Sequence, residues 1–126
     1  EQSLELLRRK PSDFAVLTGE DALFFTMRAN GAEGGILAAS HVVTEGFVEV
    51  ERCFRANDLL GARKAWAPLA GFVPMLFAEA NPMPIKYLLW RQGLIASPEC
   101  RLPLTRISDG LARRLDAMFA EKKAAA

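Results

Sequence analysis

The chain has 126 residues, 51% of them hydrophobic and 25% charged, with a net charge of +1. That is one domain's worth of chain, and the apolar content excludes a disordered segment. Lys and Arg fall in twos and threes (Arg8-Arg9-Lys10, Arg113-Arg114, Lys122-Lys123), so no basic stripe is present to follow a nucleic-acid backbone.

Leu4 and Leu7 suggest a short helix that ends before Pro11. Phe14-Ala15-Val16-Leu17-Thr18 and Gly35-Ile36-Leu37-Ala38-Ala39 are the two convincing strands. Both are continuously apolar rather than alternating, the pattern of parallel strands covered on both faces. Two such strands cannot close a sheet alone, because each leaves an edge and an uncovered face. Between them Gly19-Glu20 turns the chain, and Asp21 is expected to cap a helix over Ala22–Ala29 that Asn30-Gly31 stops. After Ser40-His41, Thr44 is expected to cap a helix with a face of Phe47, Val50 and Phe54. Strand, helix, strand, helix with short connections is the βαβ pattern, with a right-handed crossover expected.

No strand is evident after Ala39. Leu59, Ala62, Trp66, Leu69, Val73, Leu76 and Ala80 form a helical stripe, expected to bend or break at Pro68 and Pro74. Phe72, Met75 and Phe77 add bulk on its other sides, as in a helix buried by more than one neighbour. The uncharged stretch Ala65–Ala78 is too short and too interrupted to span a membrane. Asn81-Pro82-Met83-Pro84 starts another helix, running to about Gln92 and stopped by Gly93. Ser97-Pro98 and Leu102-Pro103 mark an irregular connection. Ser108 is expected to cap a last helix with a face of Leu111, Leu115, Met118 and Phe119, and Lys122 to Ala126 to fray. No internal repeat is present.

In a parallel βα array, the loops after the strands' C-terminal ends form the reactive face. Here these are Thr18-Gly19-Glu20-Asp21 and Ala39-Ser40-His41. Glu20 and Asp21 are neighbours in sequence and rarely converge on one atom, so helix capping is the better reading of Asp21. Gly19 either makes a turn or lets backbone approach a ligand. His41 is the single histidine. It could serve as an acid or base near neutral pH, but no partner stands at a triad spacing, which favours a structural or exposed imidazole. One histidine is too few for a typical metal site. Cys53 and Cys100 lack metal-ligand spacing, and Cys53 falls on an apolar helix face as a buried reduced thiol, which fits a cytoplasmic protein. A Schiff-base lysine needs desolvation, which a buried strand supplies. Lys10, Lys64, Lys86, Lys122 and Lys123 all lie outside the two strands, with Lys86 read as solvated or cap-related. The chain opens Glu1-Gln2, with neither an initiator Met nor a secretory leader; processing, truncation or a fragment would each account for that.

Four segments resemble the C-terminal part of the dihydrodipicolinate synthase / N-acetylneuraminate lyase family. Phe14-Ala15-Val16-Leu17-Thr18-Gly19-Glu20-Asp21 is similar to the family's strand seven and its Ser/Thr-Gly-acidic-Asp turn. Asn30-Gly31-Ala32-Glu33-Gly34-Gly35-Ile36 is similar to its Gly-x-x-Gly approach to strand eight. Asn81-Pro82-Met83-Pro84-Ile85-Lys86 is similar to its Asn-Pro-x-Pro-x-Lys segment, and Leu94-Ile95 with Arg101-Leu102-Pro103-Leu104 to its Arg-Leu-Pro-Leu ending. The last two, at this separation and after that strand pattern, are the specific pair. The resemblance runs from about Leu4 to Leu115.

The resemblance implies an α/β fold. Residues 1–57 would be the last two parallel strands and helices of a TIM (β/α)8 barrel, and 58–126 a C-terminal helical region. A whole barrel needs about 250 residues. The implied activity is that of a pyruvate-dependent Schiff-base lyase, condensing pyruvate with an aldehyde such as aspartate semialdehyde, without cofactor or metal. The imine-forming lysine, the catalytic tyrosine and the carboxylate-binding motif would lie on the first six strands. That leaves no catalytic residue in this chain and makes it inactive alone. Gly19 matches the glycine beside the imine, and Ile36 the strand-eight residue lining the pyruvate pocket. His41 stands where dipicolinate synthases often have Asn, at the border of the second substrate's space. The implied partners are the rest of the barrel and further copies in a homo-oligomer, commonly a tetramer; neither nucleic acid nor membrane is among them. Sialic acid lyases and keto-deoxy sugar acid aldolases or dehydratases are the sibling activities. A non-enzymatic helical interaction module, its strands buried against a partner, is the distant rival.

Overall fold

The computed structural model describes residues 1–124, with side chains through Ala120. Helix α1 (Gln2–Arg9) ends as expected at Lys10, whose extended backbone is what the ring of Pro11 demands. Strand β1 (Leu17–Thr18) and strand β2 (Gly34–Gly35) pair in parallel, Leu17 opposite Gly34 and Thr18 opposite Gly35. Helix α2 (Phe24–Ala29), entered through a 3-10 turn at Asp21–Leu23, connects them and stops at Gly31 with φ +96°. A second 3-10 turn (Ala39–His41) leads into α3 (Thr44–Arg55). Helix α4 (Leu59–Phe72) passes into a 3-10 turn (Val73–Phe77), followed by α5 (Met83–Arg91) and α6 (Asp109–Ala124). The chain divides into two compact units, Glu1–Ala70 and Gly71–Ala126.

Both strands are shorter than the expected Phe14–Thr18 and Gly35–Ala39. Side chains take up the backbone groups that a longer ladder would use. The Val16 N–H donates to the Glu33 carboxylate (2.7 Å), and the Phe14 carbonyl accepts from Lys10 Nζ (3.0 Å). The Ala39 N–H donates to Asp21 Oδ1 (2.6 Å), and there the chain turns. Single bonds from Glu33 N–H to the Val16 carbonyl and from Ile36 N–H to the Thr18 carbonyl, each 2.9 Å, extend the pairing on either side.

The ladder is sealed on one face only. Val16 and Leu37 are each 7% exposed, Val16 packing with Met27, Ala32 and Leu7. On the opposite face Leu17 is 49% and Ile36 77% exposed. The expectation of strands covered on both sides is thus half met: within the first unit α2 packs against the ladder and the opposite face is left bare. Phe24, Phe47 and the half-buried Phe25 and Trp66 form an aromatic cluster behind that sealed face, with Phe24 and Phe47 edge to face at 5.3 Å. Arg28 clamps this side by pairing with Glu51 (2.7 Å), donating to the Ala32 carbonyl, and lying over the Phe54 ring.

Two caps differ from expectation. Glu20, not Asp21, caps the turn into α2, its carboxylate accepting from the Ala22 N–H; Asp21 is buried and engaged with Ala39 instead. Thr44 is the first residue inside α3, and its hydroxyl reaches back to the Ser40 carbonyl (2.6 Å). Cys53 is buried and unbridged, as expected.

Pro68 sits inside α4 without ending it, and the α form gives way at Val73-Pro74. Of the expected stripe, Ala62, Leu69, Val73 and Leu76 are buried, while Leu59 and Ala80 are exposed. In the second unit α5 packs on α6 and on the Val73–Phe77 turn, enclosing Leu76, Leu88, Leu111 and Leu115. Ser108 caps α6 as expected, accepting from the Leu111 N–H (3.2 Å), and the Glu79 carboxylate in turn holds the Ser108 hydroxyl (2.5 Å). Of the tail expected to fray from Lys122, residues 122–124 continue the helix and 125–126 lie outside the described residues.

The Lys10 ammonium, and next the Val16 N–H, hold the Glu33 carboxyl below the usual carboxylate range. A folded value below the unfolded one stabilises the fold at pH above the unfolded value, and that contribution disappears as pH falls through the folded value. Glu33→Gln should therefore flatten the acid limb of the stability–pH curve below pH about 4.3. Urea unfolding of both forms from pH 3 to 7 checks this, and parallel curves would contradict it.

Candidate functional site

The segments that leave the C-terminal ends of β1 and β2 lie side by side. Thr18 is buried, and its hydroxyl engages both the N–H (3.2 Å) and the carbonyl (3.3 Å) of Glu20, fixing the turn across Gly19. Gly19 is exposed, and a Cβ placed there would meet nothing within 4 Å. Packing within this chain therefore does not require glycine at that position. Across from it, Ile36 is held by its N–H to the Thr18 carbonyl and points its side chain out from the bare face. Ser40 donates to the Leu37 carbonyl (2.7 Å), closing the second turn. His41 ends that turn, exposed.

The structure thus brings Gly19 and Ile36 to neighbouring strand ends, with His41 on the loop that follows Ile36. It adds a residue that sequence reasoning placed differently. Asp21 joins the two turns through Ala39, a pairing across 18 residues that no local spacing could reveal. The only trace in sequence was an acidic residue followed by an apolar run.

None of the lysines with described side chains lies on a strand. Lys10 pairs with Glu33 (2.7 Å), Lys64 is exposed, and the half-buried Lys86 donates to the Glu99 carbonyl, in the irregular connection rather than at a helix end. Among the described residues no group of three or more His, Cys, Asp or Glu side chains is placed to hold a metal ion. Nor is any helix among them long and apolar enough to cross a membrane. Burial pushes the Cys53 thiol up, and the neighbouring Glu49 carboxylate adds to this, so it is a poor nucleophile.

A cavity of about 530 Å³ lies in the second unit, lined by Met83, Tyr87, Trp90, Cys100 and Leu104 among others. Its lining takes in Met83, Leu102 and Leu104 of the two specific motifs but none of Gly19, Ile36 and His41. Tyr87 donates its hydroxyl to Asp116 Oδ2 (3.0 Å), and Arg91 Nε donates to Asp116 Oδ1 (2.9 Å).

Two adjacent parallel strands, a connecting helix on one side and open turns at the C-terminal strand ends define an α/β chain of the βαβ class. The profile of the Dihydrodipicolinate synthetase family matches residues 1–122, and the chain belongs to that family. It is 45% identical over 115 residues to 4-hydroxy-tetrahydrodipicolinate synthase 2 of Clostridium acetobutylicum, covering 91% of this chain and 40% of that protein. It is 39% identical over 113 residues to the 4-hydroxy-tetrahydrodipicolinate synthase of Laribacter hongkongensis, covering 90% and 38%. The crystal structure of dihydrodipicolinate synthase from Aquifex aeolicus matches with a TM-score of 0.90 at 32% identity, over 96% of this chain and 41% of that one. The chain therefore spans about two fifths of the length of the relatives it matches.

Tyr87 is the single tyrosine. Burial first, then its hydrogen bond to Asp116 and that carboxylate's charge, raise its pKa above the usual phenol value. Absorbance at the tyrosinate band should give one titration with a midpoint above about 10, which Asp116→Asn moves down. A midpoint unchanged by that substitution would contradict the assignment.

Proposed function

We propose that the chain forms the last two βα units (residues 1–57) and the C-terminal helical region (58–126) of a TIM barrel. In this reading the complete barrel is a pyruvate-dependent Schiff-base lyase of the 4-hydroxy-tetrahydrodipicolinate synthase type. The observation that carries it is the half-sealed parallel ladder. Leu17 and Ile36 point away from this chain's own helices, as residues facing the inside of a closed barrel do. Family membership and the overlap with solved synthases support the same reading.

The chemistry follows from what such a barrel mouth supplies. A lysine on another strand, kept as a free amine by desolvation, attacks the pyruvate carbonyl, and loss of water gives the imine. The imine acts as an electron sink, so the pyruvate methyl loses a proton and the resulting enamine attacks the aldehyde. Gly19 and Ile36 contribute walls: the first by having no side chain, the second through its backbone and its exposed apolar side chain. We read the complete protein as a cytoplasmic homo-oligomer, a tetramer by family resemblance, with aspartate semialdehyde as the second substrate. The exposed His41 on the loop after Ile36 favours, as a second reading, a sibling activity with a different aldehyde.

The test is a chimera in which this chain replaces the matching part of the Clostridium acetobutylicum relative. Borohydride with pyruvate should trap one adduct on the relative's lysine, and none on this chain alone. Gly19→Val has room in this chain's fold but would fill the pyruvate pocket, so trapping should fall by about tenfold or more, the effect of misplacing a reacting group. An adduct on a lysine of this chain, or a folded chimera that traps nothing, would overturn the reading.

A further inference from the structure

Asp21 is buried, 3% exposed, in a turn whose neighbours Glu20 and Ala22 are both exposed. Its Oδ1 accepts the Ala39 N–H at 2.6 Å, the short distance of a charge-assisted hydrogen bond. Three residues earlier on each segment, the Ile36 N–H donates to the Thr18 carbonyl at 2.9 Å. These two bonds close a ring that runs from Thr18 through Gly19 and Glu20 to Asp21, across to Ala39, and back through Ala38 and Leu37 to Ile36. The two residues assigned to the pocket wall, Gly19 and Ile36, both lie on that ring.

The ring is braced on each side. Thr18 fixes the Glu20 peptide from within the first turn, and Ser40 fixes the Leu37 carbonyl from within the second. Ala39 is fully buried, and its carbonyl accepts from the N–H groups of Val42 (3.0 Å) and Val43 (3.1 Å) at the root of α3. Asp21 thus ties the turn after β1 to the helix after β2. Helix capping does not account for its burial, because Glu20 performs that role.

We propose that Asp21 is a positioning residue, which sets the width of the slot between Gly19 and Ile36 by holding Ala39 across it. This rests on the assignment of that slot to pyruvate. A substrate that sits in the slot should feel the loss of the clasp, whereas the second substrate, bound beyond it, should not.

Two measurements test this. In this chain, NMR follows hydrogen exchange and the proton shift of the Ala39 amide for the natural sequence, Asp21→Asn and Asp21→Ala. In the chimera described above, KM is measured for pyruvate and for the aldehyde. Asp21→Ala should speed Ala39 exchange and raise the pyruvate KM, each by about tenfold, the size of one lost buried hydrogen bond to a charge. The aldehyde KM should stay within about twofold, and Asp21→Asn, which keeps an acceptor, should recover most of the pyruvate KM. An Ala39 amide whose exchange and shift are alike in all three forms overturns the clasp, as do equal rises in both KM values. Should Asp21→Ala not fold, Asp21→Asn decides alone: loss of the charge must move the Ala39 proton shift. Absence of pyruvate trapping with Asp21 intact, together with an Ala39 amide that responds to the substitutions, overturns the pyruvate assignment and leaves the clasp standing.

Discussion

Backbone groups at the ends of a two-strand parallel ladder have no neighbouring strand to bond, and their satisfaction governs the first unit. Buried N–H groups without partners are rare in proteins because each costs the free energy of a lost hydrogen bond. Here two carboxylates meet that need. Glu33 accepts from Val16 where the strands begin, and Asp21 accepts from Ala39 where they end. Between these two points the ladder is only two residues on each strand. The parallel register, and with it the placement of Gly19 beside Ile36, depends on both ends being held. The second unit uses the same device, with Glu79 holding the residue that caps α6.

Much of this architecture is legible in the sequence. A β pattern without alternation pointed to parallel strands, and Leu17 and Thr18 do pair in parallel with Gly34 and Gly35. The helix boundaries at Pro11, Gly31, Gly93 and Ser108 follow from residues with a local conformational reason to end or start a helix there. What was not legible is non-local. The strand lengths depend on which partner each backbone group finds, and Lys10, Glu33 and Asp21 bind backbone at positions that local patterns cannot anticipate. Asp21 is the plainest example. Its position suits a cap, yet the adjacent Glu20 caps equally well and leaves the shorter carboxylate to turn inward.

The candidate site shows a different limit. Nothing in the residue chemistry of Gly19 or Ile36 announces a binding role; only the resemblance of their surrounding motifs does. The structure explains why. Gly19 offers nothing beyond its backbone, and Ile36 is one of several exposed apolar residues. Residues that shape a pocket by absence or by backbone leave no reactive signature, whereas nucleophiles and metal ligands do. The bare face of the ladder, rather than any side chain on it, is the physical feature on which the proposal of a larger barrel rests.

In the proposed barrel this chain would supply wall rather than chemistry. If the reacting lysine stands on a strand elsewhere in the barrel, this part of the fold affects the rate only through the space it leaves and the rigidity with which it keeps that space. Proximity effects are sensitive to displacements of about 1 Å, and a turn free at one end would not hold Gly19 to that tolerance. A buried carboxylate across the two turns can, because a charge-assisted bond is short and directional and its partner N–H is rooted in a helix. Catalytic precision in a wall of this sort therefore belongs to its hidden polar ties more than to the residues that touch the substrate. On that argument the buried Asp21 would constrain the geometry of the proposed pocket at the strand ends more strongly than Gly19 or Ile36 themselves.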